Sequence, residues 1–389
     1  MKYSRFVLII GVLLMTILFS CSNHKNDDDD DDDDSADDDY DDDIIPILNE
    51  NWSYNLIDEY SSDCSLSLDL DNNVFIVYYA PLREDGYDEL FYVNSIDNWQ
   101  IYPFPKHVGS WHTTPAMDSV TDEQDNLHFL YPVQREGGKF ICELYYSKYD
   151  GDSWSYDKIS DAVYTDPYSL SIDNVGNAHI SYYDESEKNG DLIHVDNSTG
   201  SWQYEVVEEN AGKYMGYCRA VIKTLSDSLY LLYVITGENY GDNHLVYAQK
   251  NDDVWEKIIV AENVDSATMD IDSLGNAHIL YRNDDILVYV SNMSGEFISK
   301  RAADGYCNWA QELVVDENNN VHIIHSGSMY NTKSGSYYVN NISGNWISEE
   351  ISAYLTDVIS AEIDSEQVLH VAMNAGDYLC HLTREIPQE

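Results

Sequence analysis

Trp111 and Trp309 stand outside every regular pattern in this chain, and each sits among polar groups, in Gly109-Ser110-Trp111-His112 and Tyr306-Cys307-Asn308-Trp309. Tyr168, Tyr214, Tyr217 and Arg219 occupy comparable places, and Arg282, from the end of a second strand, joins them as a candidate ligand-binding residue. An exposed ring beside a hydrogen-bonding group is what stacking on a sugar requires, because the C–H face of a pyranose is apolar and its hydroxyls need partners. The same rings read equally well as side chains packed beneath long loops. Three carboxylates, Asp166, Asp265 and Asp357, each stand seven residues before the Asp of a recurring turn. Brought together, they would offer the hard oxygen set that Ca²⁺ takes, or a carboxylate pair for glycoside hydrolysis. Kept apart, each caps its own strand and faces water. No catalytic signature accompanies them, and no Cys/His cluster at zinc spacing, so no catalytic residue is assigned.

These residues must be positioned by a repeat. Ser171-Ile172-Asp173-Asn174-Val175-Gly176-Asn177-Ala178-His179-Ile180-Ser181-Tyr182 recurs as Asp270-Ile271-Asp272-Ser273-Leu274-Gly275-Asn276-Ala277-His278-Ile279-Leu280-Tyr281. The frame fits again around Asp69, Asp122, Asp316 and Asp364, and in degraded form around Thr224, giving seven copies. Each copy is a strand, a tight turn whose Asp caps the amides, and a second alternating strand; Gly and Asn suit the left-handed step. A further hairpin ends each copy in a strand opened by an aromatic: Trp52, Trp99, Trp154, Trp202, Trp255, Phe297 and Trp346. Their mean spacing is about 49 residues, a period suited to four strands per copy.

This arithmetic predicts an all-β fold, a seven-bladed β-propeller of four-stranded antiparallel blades. The chain stops at Glu389, before another aromatic strand is due, while Asn51–Ile57 precedes the first copy with no hairpin of its own. The N-terminal strand should therefore complete the last blade and close the ring, leaving no open sheet edge. The Asp-x-x-Gly-Asn-x-His-Ile-x-Tyr element resembles the seven-bladed propellers of secreted bacterial repeat proteins, over about 340 residues. The Gly-x-Trp hairpins are similar in part to the aspartate-box repeats of sialidase-like propellers. Asp150-Gly151-Asp152-Ser153-Trp154 lacks the full Ser-x-Asp-x-Gly-x-x-Trp spacing, however, and Arg219 and Arg282 do not make the arginine triad that resemblance would require. Fold follows from the likeness; activity does not.

What recurs in most copies serves packing. His128, His179, His278, His322 and His370 share one column and the Trp residues another, and both read as scaffold. The connections after each second strand and before each first strand vary in length and share one face, where function is usually placed.

With 20 basic against 71 acidic residues the formal charge is −51. Such a chain repels phosphate backbones and anionic membrane surfaces, which excludes nucleic-acid binding and a basic interfacial helix. Residues 1–20 form a signal peptide, and Leu18-Phe19-Ser20-Cys21 resembles a bacterial lipobox, which implies lipidation of Cys21; ordinary cleavage is the alternative. Residues 21–46, with the run Asp27–Asp34, form a self-repelling tether, and residues 47–389 the propeller. Cys64, Cys142, Cys218, Cys307 and Cys380 are odd in number, so at least one stays unbridged within the chain.

The expectation is a monomeric cell-surface lipoprotein, exported and lipid-anchored to the bacterial envelope at the outer membrane or cell surface, with no other membrane contact. Its variable-loop face would bind glycan or protein, with Ca²⁺ the only ion suggested. The alternatives are a glycoside hydrolase or lyase with carboxylates at the channel mouth, and a structural scaffold of an envelope complex.

Overall fold

The computed structural model describes residues 49–387, except 60, 62, 82–87, 106–116, 135–140, 185–189, 213–219, 238–242, 265, 284–285, 304, 330–333, 357–358 and 377. The side chains of 81, 88, 134, 141, 164–167, 305–310 and 328–329 also lie outside the description. The compact unit spans Ile45–Glu389. Among the described residues there are 27 strands and no helix, hence no helix long and apolar enough to cross a membrane.

After β1 (Ser53–Glu59), one sheet takes β2 (Asp63–Leu68), β3 (Val74–Pro81), β4 (Asp88–Asn94) and β5 (Tyr102–Pro103). A seven-stranded sheet follows: β6 (Asp118–Thr121), β7 (Leu127–Gln134), β8 (Ile141–Tyr149), β9 (Trp154–Ile172), β10 (Ala178–Asp184), β11 (Asp191–Asp196) and β12 (Gln203–Glu208). The next is β13 (Val221–Leu225), β14 (Ser228–Thr236), β15 (Asn243–Asn251) and β16 (Val254–Glu262). Then comes β17 (Ser266–Ile271), β18 (Ala277–Asn283), β19 (Ile286–Ser291) and β20 (Ile298–Ala303). The fifth holds β21 (Gly305–Val315), β22 (Val321–Met329), β23 (Ser334–Asn340) and β24 (Ile347–Ser352). In the last, β25 (Ile359–Ile363), β26 (Val368–Ala375) and β27 (Tyr378–Glu385) are joined by β1, which pairs antiparallel with β27, Ser53 opposite Thr383 and Leu56 opposite Cys380.

The fold is thus all-β, repeated and β-propeller-like, with antiparallel four-stranded sheets as the rule. The strands fall into six sheets, not seven separate ones, and the reason lies in β9. Its first part pairs with β8 and its second with β10, and Val163 has partners on both, Cys142 and Asp184. One long strand therefore serves as the fourth of one set and the first of the next.

The turns behave as their residues dictate. Asp173 Oδ1 accepts from the amides of Val175 (3.1 Å) and Asn177 (2.8 Å), and Oδ2 from Asn177 Nδ2 (2.8 Å). Asp69, Asp122, Asp272 and Asp316 repeat this. The fourth turn residue is left-handed: Gly176 at φ 87°, Gly275 at 83°, and Asn72, Asp125, Asn319 and Gln367 near 60° in the other copies.

Each aromatic of the Trp column crosses to the third strand of the preceding set. Trp154 meets Tyr92 (ring centroids 5.5 Å apart), Trp202 meets Tyr146 (5.1 Å), Trp255 meets His194 (5.7 Å), Phe297 meets Tyr247 (5.1 Å) and Trp346 meets Tyr289 (5.2 Å). All are edge-on, the geometry the ring quadrupoles favour. Trp52, from the N-terminal segment, meets Tyr338 (5.6 Å), and Trp99 meets His381 of β27 (4.8 Å). Between the sheets Tyr78, Tyr79, Tyr131, Tyr183 and Tyr233 are fully buried; the Tyr183 hydroxyl donates to Val234 O (2.8 Å) and that of Tyr78 to Asp58 (2.8 Å).

Candidate functional site: the central cavity and the histidine relays

Seven strands, β2, β6, the second part of β9, β13, β17, β21 and β25, line one cavity of about 320 Å³. A first strand pairs along one edge only, so amides on its other edge need partners. Short polar side chains of the neighbouring first strand supply them. Ser360 Oγ accepts from Leu66 N (2.9 Å) and Glu362 from Leu68 N (3.0 Å), linking β25 to β2. Ser65 Oγ accepts from Ser119 N (2.9 Å), Asp118 from Leu170 N (2.8 Å), Ser171 Oγ from Thr224 N (3.0 Å) and Asp270 from Val315 N (3.0 Å). Lys223 and Asp270, 4.0 Å apart, bridge β13 and β17, and the Thr268 hydroxyl donates to Glu312 (3.1 Å).

The cavity's charge is lopsided: Asp118, Asp270, Glu312 and Glu362 against Lys223. Burial pushes the Glu362 carboxyl up to about 8, with Lys223 and the Leu68 amide opposing and Asp118 and Asp270 adding to the rise. Burial works against the Lys223 ammonium, yet Asp270, Glu312, Asp118 and Glu362 together hold its pKa above the ordinary value. These acids stand four or two residues before the turn Asp, whereas the sequence reading singled out those seven before it. A column of Ser, Thr, Asp and Glu at those two places in otherwise apolar strands was the available signal.

Of the residues singled out from sequence, Tyr168 and Arg282 are described with their side chains. Tyr168 lines the cavity but is only 3% exposed and packs with Leu170 and Tyr182, so its ring is core and not an open stacking platform. Arg282, on β18 opposite Ser266 and Leu287, is also buried. Trp111, His112, Tyr214, Tyr217, Arg219, Asp265, Asp357 and the lipidation residue Cys21 lie outside the described residues, as do the side chains of Trp309 and Asp166.

The histidine column forms buried relays. His128 Nε2 faces Asp122 (2.9 Å) and its Nδ1 the Tyr146 hydroxyl (2.6 Å). His278 lies likewise between Asp272 (3.3 Å) and Tyr289 (2.8 Å), and His322 between Asp316 (3.2 Å) and Tyr338 (2.7 Å). A neutral ring that donates from Nε2 and accepts the phenol proton at Nδ1 satisfies every group. Burial pushes His128 down to about 4, with Lys148 adding to the fall and Asp122 opposing. Recurrence in three sets identifies this as scaffold. Two sets depart from it: histidine replaces the tyrosine at His194, 3.1 Å from His179, and at His381, 3.1 Å from His370.

No family model matches the chain, and no curated protein does. Solved structures do. The polysaccharide lyase Uly1 superposes with a TM-score of 0.54 at 12% identity, over 82% of this chain and 88% of its own. A protein of unknown function from Dyadobacter fermentans gives 0.50 at 11%, over 87% and 100%. A polysaccharide lyase described as an ulvan lyase bound to -[GlcA(1-4)Rha3S]- gives 0.52 at 12%, over 85% and 97%. At these identities what is shared is the fold, and this chain is similar to those enzymes as an all-β, β-propeller-like scaffold.

Proposed function

We propose that the chain is a closed seven-bladed propeller, held to the bacterial envelope through Cys21, that binds glycan at the mouth of its central cavity. The observation that carries this is the single cavity lined by seven first strands. Apart from Arg282, which lies on β18, the candidate ligand residues stand on or ahead of one of those strands. Residues 111–112 precede β6, 217–219 precede β13, Asp265 precedes β17 and Asp357 precedes β25; Asp166 lies on β9 and Trp309 on β21. A closed ring would bring these segments to one rim. Closure is supported by the pairing of β1 with β27, by Trp52 and Trp99 on the sheets before theirs, and by the Ser360 and Glu362 links from β25 to β2.

The likeness to polysaccharide lyases favours a carbohydrate ligand, with elimination chemistry as the second reading. The charge of −51 disfavours polyanionic glycans unless a cation such as Ca²⁺ bridges them. Full-length protein should bind a subset of immobilised neutral glycans, and Trp111→Ala or Trp309→Ala should weaken binding about tenfold or more, the loss of one good stacking contact. Binding unchanged in both variants, or no glycan bound at all, would overturn the proposal. Ultraviolet absorbance from unsaturated uronate ends, on incubation with uronate polysaccharides, would move the reading to a lyase.

A further inference from the structure

The geometry points to a divalent transition-metal site, of the zinc class, built from His179, His194 and Asp196. It stands independently of the glycan reading, because it lies within one sheet and not at the cavity mouth. His179 on β10 is directly opposite Asp196 on β11, and His194 is two residues along the same face. The ligand atoms of the three lie within 4.8 Å of one another. His179 Nδ1 and His194 Nε2 face each other at 3.1 Å. Two imidazoles on a tetrahedral zinc, at bond lengths of roughly 2.0–2.1 Å, hold their nitrogens roughly 3.3 Å apart, so a small opening admits the ion.

The outer nitrogens are furnished as a metal site needs. His194 Nδ1 donates to Glu205 (2.7 Å), and His179 Nε2 is 3.5 Å from Asp173. Each imidazole thus carries a carboxylate behind it, which orients the ring and raises its basicity toward a metal. Lys250 (2.5 Å) and the Trp255 indole (3.1 Å) hold Glu205 in place. A divalent ion between the facing nitrogens leaves the outer contacts with Glu205 and Asp173 in place.

The repeat provides the control. Tyrosine takes the place of His194 in the His128, His278 and His322 relays, which offer no second imidazole. His381 repeats the histidine pair with His370, but Thr383 stands where Asp196 does. Only the third copy carries all three ligands. Two imidazoles and one carboxylate suit Zn²⁺ and its neighbours, not Ca²⁺. Since His194 is 1% exposed, the ion's role is to clamp β10 to β11.

The test uses full-length protein stripped with a chelator, reloaded with Zn²⁺ and freed of excess metal by gel filtration. Wild type should retain one more equivalent of zinc than His194→Tyr, a variant that installs the side chain its sister copies use. Co²⁺ should give visible tetrahedral bands in wild type and none in the variant, and Zn²⁺ should raise the thermal midpoint of wild type alone. Should His194→Tyr fail to fold, Asp196→Asn decides, with an expected affinity loss of at least tenfold. Equal zinc retention and equal Co²⁺ spectra in wild type and variant would overturn the site and assign any binding to the aspartate tract.

Discussion

Acidification from pH 6.5 to pH 4 is expected to unfold the protein cooperatively. His128, His325 and His381 are essentially buried, and burial pushes their pKa values down to about 4, about 4 and about 3. Asp122 opposes that fall at His128 and Lys148 adds to it, the Ser326 backbone opposes it at His325, and His370 adds to it at His381. The unfolded chain takes up these protons near pH 6.5 and the folded one only below pH 4. Their contribution is therefore complete above pH 6.5 and is lost as pH falls toward the folded values. Each costs about 1.4 kcal/mol per pH unit. Over about two and a half units, three histidines remove on the order of 10 kcal/mol, comparable to a domain's whole stability. Glu362, raised to about 8, has the opposite sign. Its contribution is present below its unfolded value and lost as pH rises through 8, which offsets part of the acid loss and tilts the alkaline side downward. Urea unfolding across pH 4 to 9 should give maximal stability near pH 6.5. A profile flat from pH 7 to pH 5 would contradict buried neutral histidines.

Trp52→Ala should cost about 3–5 kcal/mol, the range for truncating a buried aromatic. The ring is 6% exposed and edge-on to Tyr338, its indole N–H donates to Glu349 (3.2 Å), and the Arg384 guanidinium lies over it at 5.5 Å. Arg384 is also paired with Glu349. One side chain thus ties the N-terminal segment to β23, β24 and β27. Removing residues 49–59 altogether should be worse, because it strips β27 of its partner and bares a sheet edge for association. Urea midpoints and size-exclusion profiles of the two variants test this; a loss under 1 kcal/mol for Trp52→Ala would mean that the segment merely rests on the sheet.

The repeat was legible because its chemistry is local: an aspartate capping amides two and four residues on needs no tertiary context, and neither does a glycine at positive φ. The Trp column was equally legible, but its partners were not. Tyr92, Tyr146, His194, Tyr247, Tyr289, Tyr338 and His381 follow connections of unequal length, so no constant spacing links them to the ring they meet. The shared strand β9 escaped notice because Asp166-Pro167 reads as a loop, whereas Val163 pairs on both sides and carries the strand through. Of the proposed metal ligands, His179 reads as scaffold with the rest of the histidine column; what distinguishes it is its cross-strand neighbours His194 and Asp196, which only register reveals. The candidate glycan contacts Trp111 and Trp309 fall outside the repeated columns, where no sister copy separates a packing residue from a binding one.

The most direct measurement is a cross-link across the seam. Ser53 and Thr383 are directly opposed on β1 and β27, and neither is buried. Protein carrying Ser53→Cys and Thr383→Cys, mildly oxidised, should form one intramolecular disulfide, run faster on a non-reducing gel, and gain up to roughly 5 kcal/mol from closing so long a loop. Failure to cross-link, or cross-linking only between molecules, would mean that the chain's first strand does not seal the ring.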